Sequence, residues 1–298
     1  MLAARISHNL MDLFRAVFSP IIGFCRYLGL LPQPTPDHSA LWQKPWSDYL
    51  SQTVAFYRAL SDTDRCTFEQ RVLLFWQTTQ IEGGVATVVD DHDKLLVAAS
   101  AIIPVWQFPG WHYVNLKRVI LLPASFNDNF ECGQSDSAIT GMVGTGPMFG
   151  KMALSKPALH QGFIIDRDKQ NVGIHEFVHL VDGADGKIDG IPECLMEHSY
   201  ALPWVALIQH KIKQIHRKRS NIRDYGATNE AEFFSVASEY FFERPAMLKR
   251  KHPKLYQALN TIYRQDTAAI KVEVRPRAKA PCPCGSGKRY KRCCMPQR

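Results

Sequence analysis

The chain has 298 residues, 46% of them apolar and 21% charged, with a formal net charge of +8. That is enough apolar side chain for one core of about 220 residues plus small appendages, so a disordered chain is excluded. Residues 271–298 carry nine Lys or Arg against the single Glu273, which accounts for the whole +8 and leaves residues 1–270 neutral.

In chain order, Leu10 to Leu31 is apolar and aromatic, but Asp12, Arg15 and Arg26 leave no uncharged run longer than 10 residues. A membrane span needs about 20, so no transmembrane segment is expected. Pro20 and the lack of a small-residue cleavage signal argue against a secretory leader. The stretch reads as an amphipathic helix, packed on the domain or touching a membrane surface, and Pro32-Gln33-Pro34-Thr35-Pro36 as a stiff linker. Helices are predicted over 47–60, 62–79 with Ser61 as cap, 91–106, 171–182, 193–219 with an interruption near Pro203, 229–243 and 246–265. Strands are predicted over 113–122 and 151–155, with fainter signals at 84–89 and 162–166. The fold class is α+β, mostly helical with a small mixed sheet. Cys25, Cys66, Cys132 and Cys194 show no pairing rhythm. Clustered thiolates near the C-terminus need a reducing compartment, so a cytoplasmic location is expected.

The helix at 171–182 carries His175-Glu176-Phe177-Val178-His179, with Val172, Ile174, Val178 and Val181 at helical spacing and Gly183 and Gly186 as stop signals. Residues four apart lie over one another on a helix, so His175 and His179 can both offer nitrogen to one tetrahedral zinc ion. Zinc lowers the pKa of a bound water to about 7 and polarises a carbonyl. The Glu176 carboxylate stands where it can take that water's proton and pass it to a leaving amine. The competing reading is a chance match, against which the helical context weighs. Asp182, three residues past His179, is a candidate to orient a ligand from behind.

A catalytic zinc takes three protein ligands. The third is sought in the helix that follows Thr228 or Asn229, where Glu232, Ser235 and Glu239 share one face amid Phe233, Val236, Ala237 and Tyr240. Buried carboxylates need partners or a metal, although Glu230 and Glu232 also suit a first turn simply through the helix dipole. Composition does not choose between Glu232 and Glu239.

These motifs, with Leu180-Val181-Asp182-Gly183, Asp189-Gly190-Ile191-Pro192, Tyr225 to Phe234 and Ser238 to Phe242, resemble the Mlc titration factor family of bacterial zinc peptidases. Upstream, Leu60-Ser61, Phe68-Glu69, Ile81-Glu82-Gly83, Val97 to Ala101 and Val119 to Pro123 extend the resemblance to about residues 42–250. The resemblance implies a zincin-like, glucose-regulated metallopeptidase. It makes His175, His179 and Glu232 the zinc ligands, Glu176 the general base and Tyr225 a catalytic tyrosine that can donate to the forming oxyanion. Family members are described as cytosolic zinc aminopeptidases, similar in their catalytic domain to lethal factor, and as binders of the glucose repressor Mlc. The stretch Asn127 to Gly150 departs from the family. Ala153-Leu154-Ser155 fits a strand bordering the cleft that can hold an extended substrate by strand addition. Lys156 stands where an aromatic is expected, and His160 reads as a surface or cap histidine.

Near the end, Pro281-Cys282-Pro283-Cys284-Gly285-Ser286-Gly287-Lys288-Arg289-Tyr290-Lys291-Arg292-Cys293-Cys294 places four cysteines within 13 residues. Cys282, Cys284, Cys293 and Cys294 can close one structural zinc site with no position left for water. The segment resembles the SEC-C zinc motif of the preprotein translocase ATPase, a chaperone and ribosome contact. Its basic charge suits acidic protein surfaces or RNA phosphates. A second basic run, His210 to Arg219, reads as an exposed helix face, and no sequence-specific DNA binding is expected.

The expected organisation is an N-terminal extension at 1–40, a metallopeptidase domain at 41–268 and a basic zinc tail at 269–298. The expected function is zinc-dependent hydrolysis of a peptide or protein substrate, aminopeptidase-like, with one catalytic and one structural zinc and a transcriptional repressor as partner. The alternative is a non-catalytic zinc protein that docks a repressor, a translocation chaperone or the ribosome.

Overall fold

The structure is a computed structural model and describes residues 41–165, 168–270, 286–289 and 292. By contacts the chain divides into Met1–Leu41 and Trp42–Arg298, and the fold that follows is that of the second unit. The expected N-terminal helix and linker, and Cys282, Cys284, Cys293 and Cys294, lie outside the described residues.

The elements are α1 (Lys44–Thr53), α2 (Ala55–Arg58), α3 (Asp62–Thr78), β1 (Gln80–Gly83), α4 (Asp91–Ile102), β2 (Leu116–Leu122), β3 (Gly141–Val143), β4 (Gly150–Ser155), α5 (Lys156–Ile164), α6 (Val172–Asp182), α7 (Ala201–His216), α8 (Glu230–Glu243), α9 (Pro245–Lys251) and α10 (Pro253–Tyr263). The sheet order is β1-β2-β4-β3. The first three strands are parallel and β3 is antiparallel on the edge, with Gly141 opposite Leu154 and Val143 opposite Met152. The fold is α+β, as the residue pattern implied.

Alternation along the strands separates two apolar layers. Val119, Leu121, Met152 and Leu154 face the main core, where α4, α6 and α8 contribute Leu96, Phe177, Val178, Phe233, Phe234 and Val236. Burying each such phenylalanine contributes about 1.5–3 kcal/mol. Ile120, Leu122, Ala153 and Met142 face the other way and are covered by Phe126, Phe130 and Ile139. The segment before β3 therefore folds as a lobe on the back of the sheet, pinned by the Phe126–Ile139 bridge.

Small residues bring α4 and α6 close together. A Cβ on Gly173 would meet Ser100 Oγ at 2.1 Å, so the turn of α6 before the His-Glu motif can lie against the Ala98-Ala99-Ser100-Ala101 run only because position 173 has no side chain. Asn171 caps α6 by accepting the Ile174 N–H at 3.0 Å and anchors to Gly162 O through its own amide.

Several expected boundaries shift for local reasons. The first helix breaks at Val54, whose backbone is extended. The last divides into α9 and α10 because His252 precedes Pro253 and stays out of helical geometry. Pro203 does not interrupt α7, since it falls in the first turn, where its missing N–H costs no bond; residues 193–200 instead form two short 3-10 turns. The strand expected at 84–89 is found at Gln80–Gly83. The strand expected at 162–166 is replaced by the end of α5, which starts on the Ser155 cap with Pro157 in its first turn. Residues 153–155 lie inside the sheet between β2 and β3, so they offer no free edge to a substrate; the free edge near the motif helix belongs to β3.

Candidate metal centre

Two helices build the site. On α6, buried along its whole length from Gly173 to Asp182, His175 and His179 sit one turn apart, edge to face, with ring centroids 4.9 Å apart. On α8, Asn229 caps the start by accepting the Glu232 N–H at 2.8 Å. The cap fixes the first turn and presents Glu232 to the histidines. His175 Nε2 lies 3.0 Å from Glu232 Oε2 and 3.2 Å from His179 Nε2, and the third side of the triangle is 3.5 Å. Among the described residues this is the one group of three or more His, Cys, Asp or Glu side chains arranged to hold a metal ion.

The geometry fits zinc. Bonds of about 2.0–2.1 Å in a tetrahedron imply ligand atoms about 3.3–3.4 Å apart, close to the triangle observed. The other ring nitrogens are engaged from behind. His175 Nδ1 is 2.8 Å from Glu239 Oε1, and His179 Nδ1 is 3.3 Å from Ser235 Oγ. With protons on both Nδ1 atoms, both Nε2 lone pairs face the same point. Electrostatics agree: burial opposes a charge on His175, yet Glu239 and Glu232 together pull its imidazole up to about 10. Two carboxylates set against a pair of imidazoles suit a divalent cation.

Glu239 has a larger part than its place in the sequence showed. Its Oε2 accepts the Asn171 backbone N–H at 2.6 Å, and its Oε1 accepts both from His175 and from the Arg223 guanidinium. One carboxylate thus joins the cap of α6, a ring of the triad and the turn carrying Tyr225. Asp182 does not orient a histidine; its Oδ2 accepts the Gly190 N–H at 2.8 Å, and burial pushes its carboxyl up to about 7.

Glu176 is buried beside the triad, and burial raises its pKa against the opposing pull of His175 and His179. It faces β3: a Cβ on Gly141 would meet Glu176 Oε1 and Val172 Cγ2, each at 2.6 Å. Tyr225 sits in the 3-10 turn Asp224–Ala227 with its ring 5.9 Å from that of His175 and is 53% exposed. Partial burial, with Glu232 and Glu176 nearby, pushes its phenol up to about 12, so it stays a proton donor. The structure therefore brings His175, His179, Glu232, Glu176 and Tyr225 together.

Lys156 and His160 are elsewhere. Both bind the buried Asp93, at 2.7 Å each, and Lys156 also donates to Val88 O. Residue patterns missed Arg223 and Gly141 as parts of the site, and placed Ser235 on the shared face of α8 without giving it a role. Gly141 was visible only as a glycine in an unassigned stretch, and Arg223 carried no local signal.

The SEC-C motif matches residues 279–296. The chain is 28% identical over 246 residues to an uncharacterized protein of Synechocystis sp., covering 78% of this chain and 86% of the relative. It is 25% identical over 254 residues to Mlc titration factor A of Klebsiella pneumoniae, covering 81% and 94%. To Mlc titration factor A of Serratia proteamaculans it is 30% identical over 188 residues, covering 58% and 69%. With the family model matching residues 36–264, the chain belongs to the glucose-regulated metallo-peptidase M90 family.

Proposed function

We propose that the protein is a zinc peptidase in which His175, His179 and Glu232 hold the metal, Glu176 is the general base and Tyr225 the oxyanion donor. The observation that carries this reading is the triangle of Nε2, Nε2 and Oε2 atoms with Glu176 buried beside it. Zinc bound there supplies a Lewis acid and an activated water. Glu176, in an apolar enclosure that raises its proton affinity, accepts a proton from the nucleophile and returns it to the leaving amine. The Tyr225 hydroxyl donates to the carbonyl oxygen as negative charge gathers on it. The edge strand β3, next to Glu176, offers unpaired backbone groups along which an extended substrate can lie.

The tail is assigned a second, structural zinc through Cys282, Cys284, Cys293 and Cys294, a closed set unsuited to catalysis. Aminopeptidase-like cleavage and a cytoplasmic location are part of the same reading. Among the described residues no helix is long and apolar enough to cross a membrane. The relatives' name, Mlc titration factor A, supports a second reading in which the chain acts by binding that repressor.

Zinc-loaded protein on a panel of free amino-acid amides and internally quenched, N-terminally blocked peptides tests the proposal. Turnover should vanish on chelation, return with zinc, and survive removal of residues 271–298. Bound zinc without turnover on any substrate would favour the binding reading. Cleavage of blocked peptides alone would replace aminopeptidase action by endopeptidase action.

A further inference from the structure

Two carboxylate-free stretches, residues 210–223 with six Lys or Arg and residues 244–254 with five, meet in the fold. Lys211 Nζ lies 3.3 Å from His252 Nδ1, His252 Nε2 lies 2.7 Å from Asn221 Oδ1, and Asn221 also reaches Met247 Sδ at 3.7 Å. The end of α7 and the loop after it therefore meet α9 and the start of α10 at Lys211, Asn221, Met247 and His252, which brings the two basic stretches together as one basic face. Lys213, Arg217, Arg219, Arg250, Lys251 and Lys254 are exposed in and beside these stretches, and none makes an ion pair or side-chain hydrogen bond among the described residues. Lys218 and Lys249 are paired, with Asp224 and Asp266. The concentration is local, since residues 1–270 are neutral overall. Burial, aided by Lys211, Lys169 and Lys251, pushes the His252 imidazole down to about 4.

We propose that this face binds the phosphate backbone of a double-stranded nucleic acid without reading its bases. Phosphate contacts need cations and little else, and six unpaired cations are available. A protein partner would want an apolar centre with a polar rim, a membrane surface would want apolar side chains to insert, and base stacking would want exposed aromatics. None of the large exposed hydrophobic side chains lies in 210–223 or 244–254.

The test is fluorescence anisotropy with two unrelated duplexes of about 20 base pairs, titrated with the full-length zinc-loaded chain between about 50 and 200 mM salt. The wild type is compared with K213E/R217E/R219E and with R250E/K251E/K254E, each checked for native circular dichroism and zinc content. Both duplexes should bind alike. Each triple reversal should weaken binding by at least about tenfold and lower the log–log salt slope by about 3. Four results would overturn the inference: no binding at low salt; reversals without effect, which would move the contact to the basic tail; unequal affinity for the two duplexes; and binding to poly-glutamate as tight as to the duplexes, which would make an acidic protein surface the partner.

Discussion

Glu239 shows how much one carboxylate can organise. It takes donors from Asn171, His175 and Arg223, so losing its charge should loosen the ring that faces the metal while leaving the three proposed ligands in place. Glu239→Gln is expected to weaken zinc binding by about 10- to 100-fold, read by chelator competition on protein with unchanged near-UV circular dichroism; unaltered affinity would remove this role. Tyr225 is tested by its phenylalanine variant. Loss of one oxyanion donor should lower kcat by about 100- to 1000-fold with KM nearly constant, whereas a rise in KM at constant kcat would make Tyr225 a substrate contact only. At this scale the sequence was informative where chemistry repeats at helical spacing: His175, Glu176 and His179 on one helix, Glu232, Ser235 and Glu239 on one face of another. It could not rank Glu232 against Glu239, because the choice depends on how α8 is placed against α6. Nor could it find Arg223, whose partner lies 16 residues away on a different element.

Elements differ in how plainly they are written. The helices α3, α4, α6 and α8 start at side-chain caps, Ser61, Asp90, Asn171 and Asn229; periodicity located all four within a few residues, with the cap itself legible for α3 and α8. β3 was invisible. It is three residues long, begins at a glycine and owes its existence to pairing with β4 rather than to its own propensity. That glycine supplies a test: Gly141→Ala places a methyl group within 2.6 Å of Glu176 Oε1, so turnover should fall sharply while zinc content is kept. Normal activity in this variant would show that β3 does not confine the base. The N-terminus of α4 supplies another. Asp93 completes a capping box with Asp90 and binds Lys156 and His160. Burial alone would raise its carboxyl, but the His160 and Lys156 hydrogen bonds bring it down to about 2 from an ordinary 3.8. A depressed folded-state pKa means stability present above about 4 and lost as pH falls toward 2. Urea unfolding across that window should show a steeper acid loss for the wild type than for Asp93→Asn; identical slopes would contradict the pairing.

At the scale of the whole molecule, a four-stranded sheet with a helical main core on one face and a small lobe on the other holds the motif helix beside an antiparallel edge strand. The composition indicated such a core, and the motif order indicated the family, but the lobe between β2 and β3 had no periodic signal to announce it. Charge is divided as sharply as structure: a neutral body, an excess of cations after residue 270, and two basic stretches around α7, α9 and α10 with residues 224–243 between them. The proposed reaction is cleavage of peptide bonds through Glu176 at a zinc held by His175, His179 and Glu232. The most direct measurement is peptide hydrolysis by wild type and Glu176→Gln at equal, verified zinc content. Turnover is expected in the wild type, with a loss of at least about 100-fold in the variant. Equal turnover in the two proteins, or none in either with zinc in place, would contradict the proposed reaction.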